Sequence, residues 1–417
     1  MPNFTIFEYG ELKVGINNFT QEHLDLLSEF FGKNKGDSKE AFPYSLIHEG
    51  VKFNQYVGIF QIDDLTIEIL PKADKLNGDE NVWRKHLIDM LSKVYKLNVQ
   101  SRGNASQDYN PNTVLDLFIS KYVDEVDALM HKGLAKHYHK MDENRTSLKG
   151  KLLFSKQVTK NCVHQERFFV RHTTYDYEHP FNQMLLTALG KASVLAKSSV
   201  VRQQVSSTMF NFPEIAEYKS NDYTMFFDRC VFDRKTEDYK EALELAKLIL
   251  LSQMPNLNSG KHNILSLLFD MNKLWEEFIF VTLKRKLTNC QVIAQKSDPF
   301  WKSDTSSISI KPDIIIKKID GGKIFILDTK WKLPTDKYGH PSENANPANA
   351  DIFQLYAYLR YHDAEKCGFV YPGKDYKKIE CSFTTLNKPC DKIFLPIEEN
   401  MMDWQSRIAE SIEEWMN

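Results

Sequence analysis

The sequence predicts an α+β protein of more than one domain, with a mixed β and helical N-terminal region and a C-terminal α/β domain. Three observations predict this. The chain has 417 residues, more than one ordinary domain holds and enough for two or three separate cores. Residues 1 to about 75 carry strand-type alternation, ending in VGIFQIDDLTIEILPK, where Leu65, Ile67 and Ile69 alternate with Thr66 and Glu68. The last third orders its apolar runs and helical patterns as β, α, β, β, α, β, the arrangement of an α/β domain.

Taken in order, Asp63-Asp64 marks the turn of a half-buried N-terminal hairpin. Beyond the polar break ADKLNGDEN, Trp83, Leu87, Leu91, Val94 and Tyr95 recur at helical spacing, and Leu115, Phe118, Ile119, Tyr122, Val126 and Leu129 do so again after Pro111. The middle is less legible. It mixes the basic polar segment HKGLAKHYHKMDENRTSLKGKL with helical patterns near Asn182 to Ala196 and Glu237 to Ser252. Breakers gather in MPNLNSGKHN, which is the expected boundary. Three regions follow: a β-rich 1–110, a mostly helical 111–260 and an α/β domain at 261–417. The last opens with the apolar run ILSLLF and a helix from about Asp270 to Leu287. Strands are expected near 308–317, 323–331, 367–372 and 378–384, with a helix from about Ala350 to Tyr361 between the second and third. Trp404, Ile408, Ile412 and Trp415 line one face of a closing helix.

Composition narrows the class without naming a partner. At 42% apolar, 26% charged and a formal charge of -2, the chain is a folded globular protein and lacks the high net charge of disorder. A basic nucleic-acid groove remains compatible, because it is a local feature. The N-terminus has no basic region followed by an apolar leader, and no apolar run reaches spanning length, so a cytoplasmic protein without a membrane partner is expected. Six cysteines without a CxxC pair argue against a disulfide framework and a cysteine zinc site, and are expected to be reduced and mostly buried. His131, His137 and His139 lack matched carboxylates and are not read as a zinc site.

Chemistry concentrates in KPDIIIKKIDGGKIFILDTKWK, Lys311 to Lys332. If Asp320 and Gly321 form a two-residue DG turn, Asp313 lies directly opposite Asp328, and alternation puts Lys330 on the same face as Asp328. A turn shifted onto Gly322 would break that juxtaposition. Two facing carboxylates repel, and desolvation adds to the cost, so the arrangement calls for a cation. Oxygen ligation by carboxylates, a backbone carbonyl such as that of Thr329, and water suits Mg²⁺, with Lys330 placed to assist a water attacking phosphorus. The bland alternative is a surface hairpin with an exposed Asp–Lys pair.

These residues resemble the PD-(D/E)XK nuclease signature, Pro312-Asp313 matching its first part and Asp328-Thr329-Lys330 its second. Glu276, in FDMNKLWEEF, resembles the acidic residue that such nucleases offer from their first core helix; Glu277 points about 100° away. Gln354 and Tyr358, at i and i+4 in DIFQLYAYLRY, resemble the QxxxY element of the nucleases related to the RecB exonuclease. The resemblance implies catalytic roles for Asp313, Asp328, Lys330, Glu276, Gln354 and Tyr358, with Asp313, Asp328, Glu276 and Thr329 at the metal.

Several stretches together resemble the McrC family, the nuclease subunits of modification-dependent McrBC restriction systems. LTIEILPK, KGLAKHYHKMDENRTSLKGKL, HPFNQMLLTAL, FDMNKLWEEF, the PD and DTK pair and DIFQLYAYLRYH occur in that family's order over most of residues 50–375. Trp275 departs from the phenylalanine expected there, and the first 45 or so residues match nothing. The resemblance implies a Mg²⁺-dependent endonuclease acting on double-stranded, methylated DNA in phage defence. It also implies an N-terminal part, with Phe60 to Lys72 as a candidate contact, that docks onto and stimulates an AAA+ GTPase hexamer of McrB type. No GxxxxGK[ST] P-loop exists, since NSGKH at 258–262 lacks the earlier glycine and the hydroxyl residue, so no nucleotide is assigned to this chain. The rival readings are a catalytically silent assembly factor and a free-standing repair nuclease.

Overall fold

The computed structural model describes residues 4–34, 42–72, 80–97, 111–219, 223–251, 264–303 and 306–417. The expected boundary at 254–263, with its NSGKH, lies outside them. Two compact units emerge: Met1–Pro111 together with Ser259–Asn417, and Asn112–Asn258.

The first unit begins with a four-stranded sheet in the order Phe4–Phe7, Leu65–Leu70, Tyr56–Ile62, Ile264–Asp270. Its hairpin forms where the alternation predicts, turning at Asp63 with φ 50°, but it is covered rather than half-buried, and Glu68 is 3% exposed. The fourth strand changes the domain map. The apolar run expected to open a separate C-terminal domain instead pairs antiparallel with the N-terminal hairpin, from Ile264 opposite Ile62 to Asp270 opposite Tyr56. Gly58, at φ 129°, permits the close approach, because a Cβ there would sit 2.1 Å from the Leu267 carbonyl oxygen. The hairpin therefore lies at the centre of its own sheet, with Val57, Phe60, Ile67 and Ile69 essentially inaccessible. A helix, Gln21–Asn34, and a small sheet in the order Glu11–Lys13, Gly50–Phe53, Tyr44–Ile47 complete this end.

The second sheet of this unit runs Cys290–Ala294, Ile314–Lys318, Ile324–Thr329, Lys366–Gly373, Lys388–Pro396, Lys377–Ile379. Its first three strands are antiparallel neighbours, and Ile324–Thr329, Lys366–Gly373 and Lys388–Pro396 are parallel. Near-continuous apolar sequence in FVY and IFL is what strands covered on both faces require. Helices Met271–Lys286, Asn349–Tyr361 and Met401–Met416 belong to this region. Asp270 caps the first by accepting from the Asn272 and Lys273 amides. The strand expected at 308–317 is interrupted. Pro312 has no amide hydrogen to give a ladder, so Ser307–Ile310 pairs with Asp298–Lys302 as a separate arm and Ile314–Lys318 begins after it.

The second unit contains the helices Pro180–Leu195 and Lys240–Leu251, close to expectation, and a further helix, Ser199–Asn211, that was not expected. The basic polar segment, however, is a strand: His137–Arg145 pairs along its length with Phe168–Asp176, from His137 opposite Asp176 to Arg145 opposite Phe168. Its charges are locally matched, as in Arg171 donating to Asp142 at 2.6 and 2.9 Å. Cys367 and Cys390 are buried but Cys162 and Cys381 are exposed, so the cysteines are less uniformly interior than expected. No described helix is long and apolar enough to cross a membrane.

Candidate functional site

The site grows from the hairpin Ile314–Lys318 and Ile324–Thr329. Its register runs from Ile314 opposite Leu327 to Lys317 opposite Ile324, which brings Asp313 beside Asp328 at the open end of the ladder. The turn differs from the expected two-residue form. Gly321 and Gly322 are the left-handed residues, at φ 83° and 65°, and the Lys318 amide donates to the Lys323 carbonyl. The loop is therefore Ile319–Gly322, four residues centred where the two-residue turn would be, and the register survives.

Asp328 is 3% exposed, with the Lys330 ammonium 2.9 Å from its Oδ2. Asp313 Oδ2 accepts from the Thr329 amide at 2.8 Å and the Thr329 hydroxyl at 3.1 Å. Thr329 thus holds Asp313 through its own donors, a role distinct from the carbonyl ligation the sequence suggested. Glu276 comes from the helix Met271–Lys286, half-buried while Glu277 is exposed. Its Oε1 accepts from Gln295 Nε2 at 2.6 Å, and the Gln295 amide donates to the Asp313 carbonyl at 3.0 Å. From Asn349–Tyr361, the Gln354 amide donates to the Tyr358 hydroxyl, which donates to the Lys311 carbonyl at 3.2 Å, two residues before Asp313. All the residues singled out in the sequence gather around one end of the hairpin.

Two participants were not anticipated. Asp351 accepts from Lys330 Nζ at 3.1 Å, and its position three residues before Gln354 on the same helix is the signal that could have found it. Gln295 adopts φ 47° at the end of Cys290–Ala294, and no sequence pattern marks it. Such a left-handed non-glycine costs energy and persists where its surroundings determine it.

The electrostatics share one cause. Burial pushes Asp328 up to about 7, with the Asp313 carboxylate adding to it. Burial also raises Glu276 to about 7, again with Asp313 contributing, and it raises Asp313 itself. Burial disfavours the Lys330 ammonium, yet Asp328 and Asp351 outweigh it and lift its pKa above the ordinary value. Lys330 thus meets Asp328 and Asp351 directly with Asp313 close by, while Glu276 lies near Asp313 and Lys311, so carboxyls outnumber ammonium groups in a low-dielectric setting. Among the described residues no three His, Cys, Asp or Glu side chains lie close enough to hold a metal ion by themselves. Asp313, Asp328 and Glu276, expected together at the metal, are thus not gathered as one set of three ligands; Mg²⁺ takes as few as one or two carboxylates, with water for the remainder. The donor chemistry at Asp313 and Asp328 suits such a cation, which would relieve their repulsion. In the histidine segment His139 does meet a carboxylate, its Nδ1 lying 3.3 Å from Asp176, and the His137 and His139 rings stack at 5.3 Å.

Comparison with known proteins gives a family. The model of the McrBC 5-methylcytosine restriction system component matches residues 51–372. No curated protein matches. Among solved structures, a refined half-complex from a tetradecameric assembly of Thermococcus gammatolerans McrB AAA+ hexamers with bound McrC superposes with TM-score 0.59 at 20% identity, covering 99% of both chains. A cryo-EM structure of the Thermococcus gammatolerans McrBC complex gives TM-score 0.43 at 21% identity, covering 68% of this chain and 88% of that one. At such identities the first likeness speaks to fold.

Proposed function

Because the chain belongs to the McrBC 5-methylcytosine restriction system component family, we propose that it is the nuclease subunit of such a system. It hydrolyses phosphodiester bonds of methylated double-stranded DNA through a PD-(D/E)XK site, and works assembled with an AAA+ GTPase hexamer whose hydrolysis it stimulates. The observation that carries this reading is the excess of carboxyls at Asp313, Asp328 and Glu276, drawn out of water, over the nearby ammonium groups of Lys330 and Lys311. A structural ion pair would not retain that excess, because like charges out of water are costly.

Asp313 and Asp328, with Glu276 alongside, are the side chains that would hold Mg²⁺. When bound, the cation would supply Lewis-acid stabilisation of the charge growing on the phosphoryl oxygens. The chain's own residues do the rest. Lys330, kept protonated by Asp328 and Asp351, donates hydrogen bonds to a phosphoryl oxygen or orients the attacking water. Thr329 fixes the Asp313 carboxylate, and the Gln354–Tyr358 pair fixes the Lys311 backbone leading into it. Assembly with a GTPase is supported by the family and by the description of the Thermococcus gammatolerans structure as McrC bound to McrB.

Lys330→Ala tests the reading. Cleavage of methylated plasmid, with partner and GTP present, should fall by at least about a hundredfold, the usual scale for losing a positioned proton-transfer or charge-stabilising group. Size-exclusion chromatography should show the partner complex unchanged. Undiminished cutting would remove Lys330 from the chemistry.

A further inference from the structure

The segment that follows Lys330 is held by a residue more than three hundred positions away. Trp331 is 1% exposed, and its indole Nε1–H donates to Glu8 Oε1. Lys332 places its ammonium 3.3 Å from the same oxygen and donates to the Lys72 carbonyl at 2.7 Å. Glu8 itself prolongs the pairing of Phe4–Phe7 with Leu65–Leu70, its amide donating to the Leu70 carbonyl at 2.9 Å. Its Oε1 also accepts from the Lys72 amide at 3.1 Å. One carboxylate oxygen of the N-terminal sheet therefore receives a backbone amide, an indole and an ammonium. The Trp331 ring lies 5.3 Å from that of Trp275, the residue before Glu276.

We infer that Glu8 is a positioning residue of the proposed nuclease site: by fixing Trp331 and Lys332 it sets where the strand carrying Asp328 ends and Lys330 follows, and through the Trp331–Trp275 contact it sets the helix carrying Glu276. The inference rests on the nuclease reading and adds a part of the site contributed by the N-terminal sheet. A purely packing role does not explain the choice of residue. Glu8 is 5% exposed, and burial raises its pKa in spite of Lys332 and the bonds from Lys72 and Trp331. An apolar side chain would fill the same space without that desolvation cost. What a carboxylate adds is direction, and displacements near 1 Å at a reacting centre cost on the order of a hundredfold in rate.

The experiment uses the full chain with its partner, GTP and Mg²⁺, and variants Glu8→Leu, Glu8→Gln and Trp331→Phe. Glu8→Leu should lower kcat for methylated DNA by at least about tenfold with KM little changed, and Glu8→Gln, which keeps an acceptor for the indole, should recover most of the rate. Adding Glu8→Leu to Trp331→Phe should cost less than Glu8→Leu costs alone, since the indole bond is already gone and only the Lys332 and Lys72 contacts remain to be lost. An independent readout is the Trp331 indole NMR resonance, assigned by its disappearance in Trp331→Phe. It should respond to Mg²⁺ in wild type and Glu8→Gln and lose that response in Glu8→Leu. Should Glu8→Leu not fold, Trp331→Phe, which removes the donor, carries the same expectation for kcat. A wild-type rate in Glu8→Leu, or an equal Mg²⁺ response in wild type, Glu8→Gln and Glu8→Leu, overturns the role of Glu8. Absence of cleavage by the wild-type complex would instead sink the nuclease reading, while the Mg²⁺ response still reports on Glu8.

Discussion

Replacing Asp328 by asparagine should stabilise the metal-free protein above pH 7 while abolishing DNA cleavage. In the folded chain this carboxyl is raised from 3.8 to about 7, by burial first and by Asp313 second. At about 1.4 kcal/mol per pH unit, the charged form costs the fold about 4 kcal/mol. The sign follows from proton binding. Between about pH 4 and 7 the folded protein holds a proton that the unfolded chain releases, so stability falls as pH rises through this window and levels off above it. Asparagine keeps the shape and removes the charge, and Lys330 retains Asp351 at 3.1 Å, so the ammonium is not orphaned. For a chain of this size, about 2 °C per kcal/mol converts the gain to several degrees of Tm at pH 8, vanishing near pH 4. Thermal melts from pH 4 to 8.5, with and without Mg²⁺, provide the assay. Mg²⁺ should raise the Tm of wild type, by an amount set by its concentration relative to Kd, and raise that of the variant less. A variant no more stable than wild type at pH 8, or an equal Mg²⁺ response, would refute the picture of uncompensated buried charge.

Three further outcomes follow from the surrounding fold. Arg84 donates from Nε and Nη2 to both oxygens of Glu68, which is 3% exposed; Arg84→Ala leaves that carboxylate buried without the guanidinium, the Thr5 hydroxyl still donating at 3.2 Å, and should cost about 3 kcal/mol in urea unfolding, with a loss below 1 kcal/mol contradicting it. His86, packed against Trp83 and Trp404, is lowered to about 4 by burial first and Lys85 second. Its neutral form is the folded form, so about 3 kcal/mol of stability present above pH 6.5 should drain away as pH falls to about 4, and His86→Phe should flatten that limb of the melting curve. Excising 112–258 and joining 111 to 259 with a flexible linker should leave a cooperatively melting unit, whereas separate fragments 1–258 and 261–417 should not behave as two native domains, because that cut parts Ile264–Asp270 from Tyr56–Ile62. A native-like, cooperative 261–417 fragment would contradict this assignment.

Much of the site was legible because its logic is local. Alternation in IFILDTK and the position of Asp320 and Gly321 set the facing of Asp313 and Asp328, and the register holds even though the loop is four residues long. Both loops are centred on the same point, and strand pairing depends on that centre. The i, i+4 spacing of Gln354 and Tyr358 put them on one helical turn, and there they bond. Pairing between distant segments carries no such periodic trace. Asp351 became a partner of Lys330 because the helix Asn349–Tyr361 lies beside the hairpin's end.

Local pattern, then, determined by itself most of the helices, the register of the hairpin and the placement of the acidic residues, but not the strands His137–Arg145 and Lys388–Pro396. The tertiary structure alone decided that residues 1–111 and 259–417 share one unit, that the apolar run at 264–270 completes an N-terminal sheet, and that Glu8 holds Trp331. The physical reason is that period-two and period-3.6 patterns state only that a face must be buried. Which face it meets is settled by the three-dimensional fit of backbones, as at Gly58 against Leu267, where the absence of one Cβ lets two strands more than two hundred residues apart close into a ladder.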